Sequence, residues 1–401
     1  MMHRVAVTGI GVIAAPGRSR PEFWQSLREG RSAIRPMTLV PGLRFPNAAE
    51  VPDYRASEYM DEKEADLLDR FAQFALIAAR EAVADSGLSV TPELAARMAI
   101  VTGTSAGGKT SEDREFQSLY AQDATRIHPL TIPRSMANAG TSRIAREYGI
   151  TGPAYTVSTA CASATHSIGQ AFWMVRNGQA EAAIAGGAEA PFSLGFLKAW
   201  EAMRIVAPDT CRPFSRDRKG LILGEGAAML LLERWDRAQA RGARVWGEIA
   251  GFGMSSDAHH LTQPLAEGAA RAMRVALADA GVEPSVIDYI NAHGTGTPAN
   301  DATESQAIRE VFGARVDRLP VSSTKSMHGH ALGATGALEA AATLLALHHG
   351  VLPPTANFTE ADPACGLDVI PNTARAVAIE WALSNSFAFG GLNAVLVFRR
   401  A

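Results

Sequence analysis

The sequence predicts an α/β protein, on three observations. Apolar runs rich in β-branched and small residues recur along the whole chain, amphipathic helical patterns lie between them, and glycine or proline punctuates the junctions. Residues 5–12, Val-Ala-Val-Thr-Gly-Ile-Gly-Val, are almost wholly apolar, which fits a strand covered on both faces and ended by Pro16-Gly17. Residues 64–86 give the clearest helix: Leu67, Phe71, Phe74, Ala75 and Ala78 share one face, and Gly87 supplies the stop. Residues 98–104, 154–157, 182–185 and 227–232 continue the series of buried strands, and 395–398 supplies the last. Polar residues 233–244 predict a helix before a new strand over 245–252, which divides the chain into halves at 1–240 and 241–401. The second half repeats the alternation, with strands over 286–292 and 321–323 and helices over 302–312 and 334–348. No residue-level repeat relates the two halves.

Composition excludes several functions. With 401 residues, 47% hydrophobic and 20% charged, the chain can bury a large core. A net charge of -3 without any long Lys/Arg run leaves no basic field for nucleic acid, so an anionic partner must meet a local patch. No apolar stretch is long enough to span a membrane, and residues 4–15 read as a strand rather than a secretory signal. Cys161, Cys211 and Cys365 are too few and scattered for a disulfide framework or a metal knuckle, so a reducing, cytoplasmic setting is expected. Gly9-Ile-Gly11-Val-Ile-Ala14 mimics a dinucleotide fingerprint, but Pro16-Gly17 interrupts the helix that would bind pyrophosphate.

Three segments concentrate chemistry. In Tyr155-Thr-Val-Ser-Thr-Ala-Cys161-Ala-Ser-Ala-Thr-His166, a strand passes abruptly into a helical pattern that stops at Asn177-Gly178. That places Cys161 at a helix N-terminus, where free amides and the helix dipole favour the thiolate, although a free cysteine is also commonly a small buried hydrophobe. Cys211 and Cys365 lack such a placement and read as structural. Asn291-Ala-His293-Gly-Thr295-Gly-Thr297-Pro298 projects His293 from a tight strand-end loop, the kind of position that carries function. Ser322-Ser-Thr-Lys325-Ser-Met-His328-Gly-His330 gathers a lysine and two histidines ahead of a helix. The i, i+2 spacing of His328 and His330 matches no helical zinc signature, and no metal is expected.

These motifs, with Asn385-Ser-Phe-Ala-Phe389-Gly-Gly-Leu-Asn393, resemble the β-ketoacyl-[acyl carrier protein] synthases of the elongating, KAS II-like type over essentially the whole chain. The resemblance implies a thiolase-like fold of five layers, αβαβα, made of two similar halves. It also implies a decarboxylative condensation between an acyl group on Cys161 and malonyl-acyl carrier protein, in fatty acid or type II polyketide elongation. The stretch 197–208 is more similar to ketosynthases of polyene and highly reducing polyketide systems.

By the same resemblance, His293 and His330 stabilise the enolate, Lys325 orders them, and Glu339 supports that network. The amides of Cys161 and Phe389 form the oxyanion hole, and Phe389 gates malonyl admission. Thr295 and Thr297 hold the phosphopantetheine arm, and Ala106 lines the acyl pocket, its small size suggesting room for long or polyene chains. No cofactor is needed beyond that arm. Partners implied are acyl carrier protein and either a second copy or a chain-length-factor subunit. Arg126, Arg204 and Lys63 are docking candidates, the last within the acidic run Asp61-Glu-Lys-Glu-Ala-Asp66. Two departures stand out: Ala388 where glycine is common, which should stiffen the gating loop, and His328 where threonine is common.

Rival readings are a non-catalytic chain-length-factor-like partner and a papain-like cysteine hydrolase. Such a partner typically lacks the nucleophile, and the hydrolase's signature around its cysteine is missing. A thiolase would need a second catalytic cysteine where this chain has Phe389-Gly-Gly.

Overall fold

The computed structural model describes residues 2–401. Among these, ten strands build the core: β1 (Val5–Ala14), β2 (Met98–Gly103), β3 (Ala154–Val157), β4 (Ala182–Glu189), β5 (Gly226–Arg234), β6 (Gly247–Ser256), β7 (Tyr289–Asn291), β8 (Pro320–Ser322), β9 (Trp381–Ala388) and β10 (Leu392–Arg399). They fall into two sets of five, in spatial order β3-β2-β4-β5-β1 and β8-β7-β9-β10-β6. Numbered within each set, both orders are the same. In both, the first strand runs antiparallel to the fifth and the fifth antiparallel to the fourth. The fourth then runs parallel to the second, and the second parallel to the third. The duplication that the residues conceal is thus plain in the topology. Pairing of Val5 with Ile249 through Val7 with Gly247 joins the sets along one short seam.

Six helices position the site: α1 (Arg70–Ser86), α2 (Ser163–Arg176), α3 (Leu194–Met203), α4 (Ala266–Ala280), α5 (Pro298–Phe312) and α6 (Thr335–His349). Helices α2 and α6 pack on strands of both sets and on each other, whereas α1 covers only the first set and α4 only the second. The result is five layers with α2 and α6 in the middle, the thiolase-like arrangement. The sequence of α6 explains its place: Thr335 to Leu347 are all buried, and small alanines on every side let two sheets approach one helix.

Several expected elements are shorter or broken. The helix expected over 64–86 is two helices, Glu62–Asp66 and α1, because Asp69 takes extended backbone and caps α1 through the Phe71 amide. The same carboxylate accepts from Thr110 Oγ1 (2.7 Å) and the Ser111 amide (2.6 Å), and Leu67, expected on the buried face, is exposed. The strand expected from 286 begins only at Tyr289, after a 3-10 turn at Pro284–Val286. Gly9 and Gly11 do not bind phosphate. A Cβ at either would lie about 2 Å from a carbonyl oxygen of α1, so these glycines let strand and helix touch.

Candidate active site

Cys161 stands between β3 and α2, two residues before the helix proper. Ala160 takes the left-handed region at φ 49°, a strained turn of the kind found where a scaffold must present a side chain. The turn is held by Ser163 Oγ, which donates to the Ala160 carbonyl (2.6 Å) and accepts from the Thr159 amide (2.9 Å). His330 occupies the corresponding place in the second set, after its third strand β8 and before α6. His293 follows β7. Cys161, His293 and His330 line one cavity of about 280 Å³, together with Thr295, Thr297 and Phe389.

The two imidazoles stand edge to face, ring centroids 5.5 Å apart. Glu304 accepts from the amides of His293 (2.8 Å) and Gly294 (2.7 Å), which fixes that loop. Lys325, fully buried, donates to the His293 carbonyl and to Glu339 Oε1, and its Nζ lies 3.2 Å from His293 Nδ1. An ammonium has three protons and no acceptor, so with those two bonds made, the third proton goes to His293 Nδ1. His293 therefore carries its own proton on Nε2. For His330 the Leu332 amide settles the same question: it donates to Nδ1 at 3.1 Å, with Thr335 Oγ1 at 2.9 Å. Burial, reinforced by the Lys325 charge, holds both histidines neutral by driving them well below their usual range. Neither Nε2 has a protein partner among the described residues, which leaves two N–H donors for the cavity.

The resting sulfur departs from expectation. Cys161 is buried, and burial pushes its thiol up to about 12 against the opposing pull of Lys325 and of the Phe389 and Cys161 amides. Desolvation is the largest influence on this thiol, and α2 starts at Ser163 rather than at the nucleophile. The Cys161 and Phe389 amides, expected in the oxyanion hole, nevertheless both favour the ionised form of that sulfur. Glu339 is pushed up to about 8 by burial, with Lys325 acting against the shift.

Other expected residues divide. Thr295 and Thr297 lie with their hydroxyls 2.9 Å apart on the cavity wall, and Thr297 caps α5. Ala106 is not part of the cavity lining: its amide donates to Glu189 Oε1 (3.1 Å), as the Ser105 amide donates to Oε2 (2.7 Å), and this holds the segment to β4. Ala388 ends β9 opposite Leu392, so any stiffening falls on the strand and the turn is left to Gly390 and Gly391, at φ 81° and 70°. His328 is a satisfied core residue, Nδ1 donating to the Gly329 carbonyl (2.7 Å) and Nε2 accepting from Thr324 (2.9 Å). Cys211 and Cys365 are buried.

Residues 2–238 match the family model described as beta-ketoacyl synthase, N-terminal domain, and residues 246–359 match beta-ketoacyl synthase, C-terminal domain. The chain belongs to the β-ketoacyl synthase family. It is 46% identical over 402 residues to nodulation protein E of Rhizobium sp. (strain N33), covering 100% of both chains. It is 42% identical over 410 residues to 3-oxoacyl-[acyl-carrier-protein] synthase 2 of Synechocystis sp., covering 99% of this chain and 98% of that one. Among solved structures, the ishigamide ketosynthase/chain length factor superposes with a TM-score of 0.95 at 41% identity, covering 100% of each chain.

Within this β-ketoacyl synthase, Arg204 is exposed beside Met203 of the cavity wall, Arg126 is exposed, and Lys63 lies exposed on the acidic helix. The motifs did not disclose Glu304, Thr335, Trp200, or Asp257 and His260 at the cavity mouth. Glu304 had a signal: with Asp301 it sits on the α5 stripe that buries Ile308 and Phe312, where an acidic residue needs polar partners.

Proposed function

We propose that this β-ketoacyl synthase condenses an acyl group held on Cys161 with malonyl-acyl carrier protein. The observation that carries the reading is one cavity holding a buried cysteine and two buried neutral imidazoles, each with its Nε2–H uncommitted. The two halves, 1–240 and 241–401, divide the chemistry, the first supplying the nucleophile and the second both histidines.

Acyl transfer comes first. Sγ attacks the incoming thioester, the pantetheine sulfur leaves, and the proton lost by Cys161 ends on that sulfur, so the exchange is neutral in charge and nearly isoenergetic. The Cys161 and Phe389 amides take the developing oxyanion. In malonyl thioester the bond to the carboxylate then breaks, CO2 departs, and the electron pair forms an enolate whose oxygen accepts from the Nε2–H of His293 and His330. Lys325 and Glu339 act as positioning residues here by fixing a tautomer. The enolate carbon attacks acyl-Cys161, and the released thiolate takes a proton from solvent. The balance closes with no further redox or metal chemistry.

Thr295 and Thr297 hold the pantetheine arm, Phe389 gates the cavity, and Arg204, with Arg126 and Lys63, meets an acidic carrier protein. The exposed outer edge of β3 supports a dimer, with a second copy or a chain-length-factor subunit. A non-catalytic partner role is disfavoured because Cys161 and both histidines are present together. Three unpaired thiols suit the reducing cytoplasm.

Intact-mass measurement after incubation with acyl carrier proteins of graded chain length tests the reading. One acyl group per chain, absent in Cys161→Ala and discharged with CO2 release on adding malonyl-acyl carrier protein, is the expected result. No adduct from any donor overturns it.

A further inference from the structure

We infer that Trp200 is the latch of the gate, a positioning residue that sets how readily Phe389 admits malonyl thioester; this rests on the condensation proposed above. Phe389 is half-buried, and its ring stacks on Trp200 with centroids 6.2 Å apart and planes 23° from parallel. The two rings and Cys161 line the same cavity. Their supports differ. Trp200 belongs to α3, is 8% exposed, and is seated edge-on against Phe196 (6.4 Å) in an apolar cluster with Phe192, Leu197, Leu221 and Leu223. Phe389 is followed by Gly390 and Gly391, both in left-handed backbone that glycine enters freely. Beyond the stack, the turn is tied down by two backbone bonds, Gly390 N to Leu261 O (2.7 Å) and Asp257 N to Gly391 O (2.9 Å). A fixed indole thus holds a ring carried on a hinge.

Holding matters because Phe389 and Cys161 line the same cavity, so a displaced ring also moves the backbone amide proposed above as an oxyanion donor. An open gate on unacylated enzyme would let malonyl thioester reach the histidine pair with no electrophile present. The carboxylate bond then breaks, CO2 leaves, and the enolate takes a proton from water to give acetyl thioester, a wasted extender unit. The latch limits this loss.

The test compares decarboxylation of malonyl-acyl carrier protein by unacylated enzyme with condensation by acyl-enzyme. Trp200→Leu keeps most of the apolar bulk but removes the stack, and should raise the ratio of decarboxylation to condensation about fivefold, the order of one aromatic stack. KM for malonyl-acyl carrier protein should fall while kcat for condensation also falls. Trp200→Phe keeps a ring and should stay within about twofold of the parent. Phe389→Leu removes the same stack from the half-buried side and should give the same rise, and the double variant should go no further than either single one. Equal behaviour of Trp200→Leu and Trp200→Phe, or additive effects in the double variant, overturns the latch. Failure of every form to acylate Cys161 would instead overturn the reaction itself.

Discussion

Lys325 and one peptide N–H decide the chemistry of two histidines, because each occupies an Nδ1 and leaves the proton on Nε2. A third histidine close by shows the opposite use of the same side chain. His328 is fully buried, donates through Nδ1, and is held neutral down to about 3, chiefly by burial. In the unfolded chain it takes a proton near the usual histidine value. Below that value the unfolded state binds one more proton than the folded state at this site, so acid removes stability, by about 1.4 kcal/mol per pH unit. His328→Thr abolishes the term. Urea unfolding of both proteins at pH 5, 6, 7 and 8 should show the variant gaining on the parent steadily below about pH 6.5, with a constant difference above pH 7. A difference independent of pH would mean that His328 titrates as in water. Cys161, His293 and His330 were legible in the sequence because each sits at a strand end among glycines and small residues. Glu304 and Leu332 were hidden because the one works on backbone amides and the other through its own amide, which no side-chain motif records.

Elements were legible where burial on both faces left mostly apolar residues, as in β1, β2, β4 and β5, each with a single buried polar side chain, Thr8, Thr102, Glu189 and Glu233. The helix break at Asp69 was not, since Leu67 continues the apolar period while the capping carboxylate interrupts the backbone. Nor was the common strand order of the halves. Sheet pairing is non-local, and any apolar residue satisfies a doubly covered strand, so two sequences can lose all likeness while keeping one topology. Glycine spacing misled for a related reason. The close approach that suits a phosphate also suits a helix, and Gly11 serves the second: a Cβ there would lie 1.9 Å from the Ala78 carbonyl oxygen and 2.6 Å from the Ala82 nitrogen. Backbone cannot rotate away as a side chain can, so Gly11→Ala should destabilise by about 3 kcal/mol in denaturant unfolding. Gly242→Ala makes the comparison: its Cβ would meet nothing within 4 Å, at φ 65°, so only the left-handed penalty of about 1 kcal/mol applies. Equal losses at the two sites would refute packing as the role of Gly11.

At the scale of the molecule, duplication explains why the nucleophile and His330 meet: each follows the third strand of its set and precedes an inner-layer helix, and α2 and α6 are neighbours. The same order leaves the third strand at the margin of each set. In the second set a two-residue strand, Asp368–Val369, covers β8. In the first set nothing among the described residues covers β3, where Ala154 and Tyr155 are exposed. A bare edge is a template for another chain, and this one ends at Val157, three residues before the strained turn at Ala160. Pairing at the edge should therefore stabilise the nucleophile loop as well as the assembly. Tyr155→Asp, which places a charge on that edge, should shift the light-scattering mass from twice that of one chain to that of one chain and lower condensation about tenfold, whereas Val377→Asp, at an exposed site in the second half, should change neither. Unchanged mass in Tyr155→Asp would move the interface elsewhere, and a monomer of full activity would free the nucleophile loop from dependence on a partner.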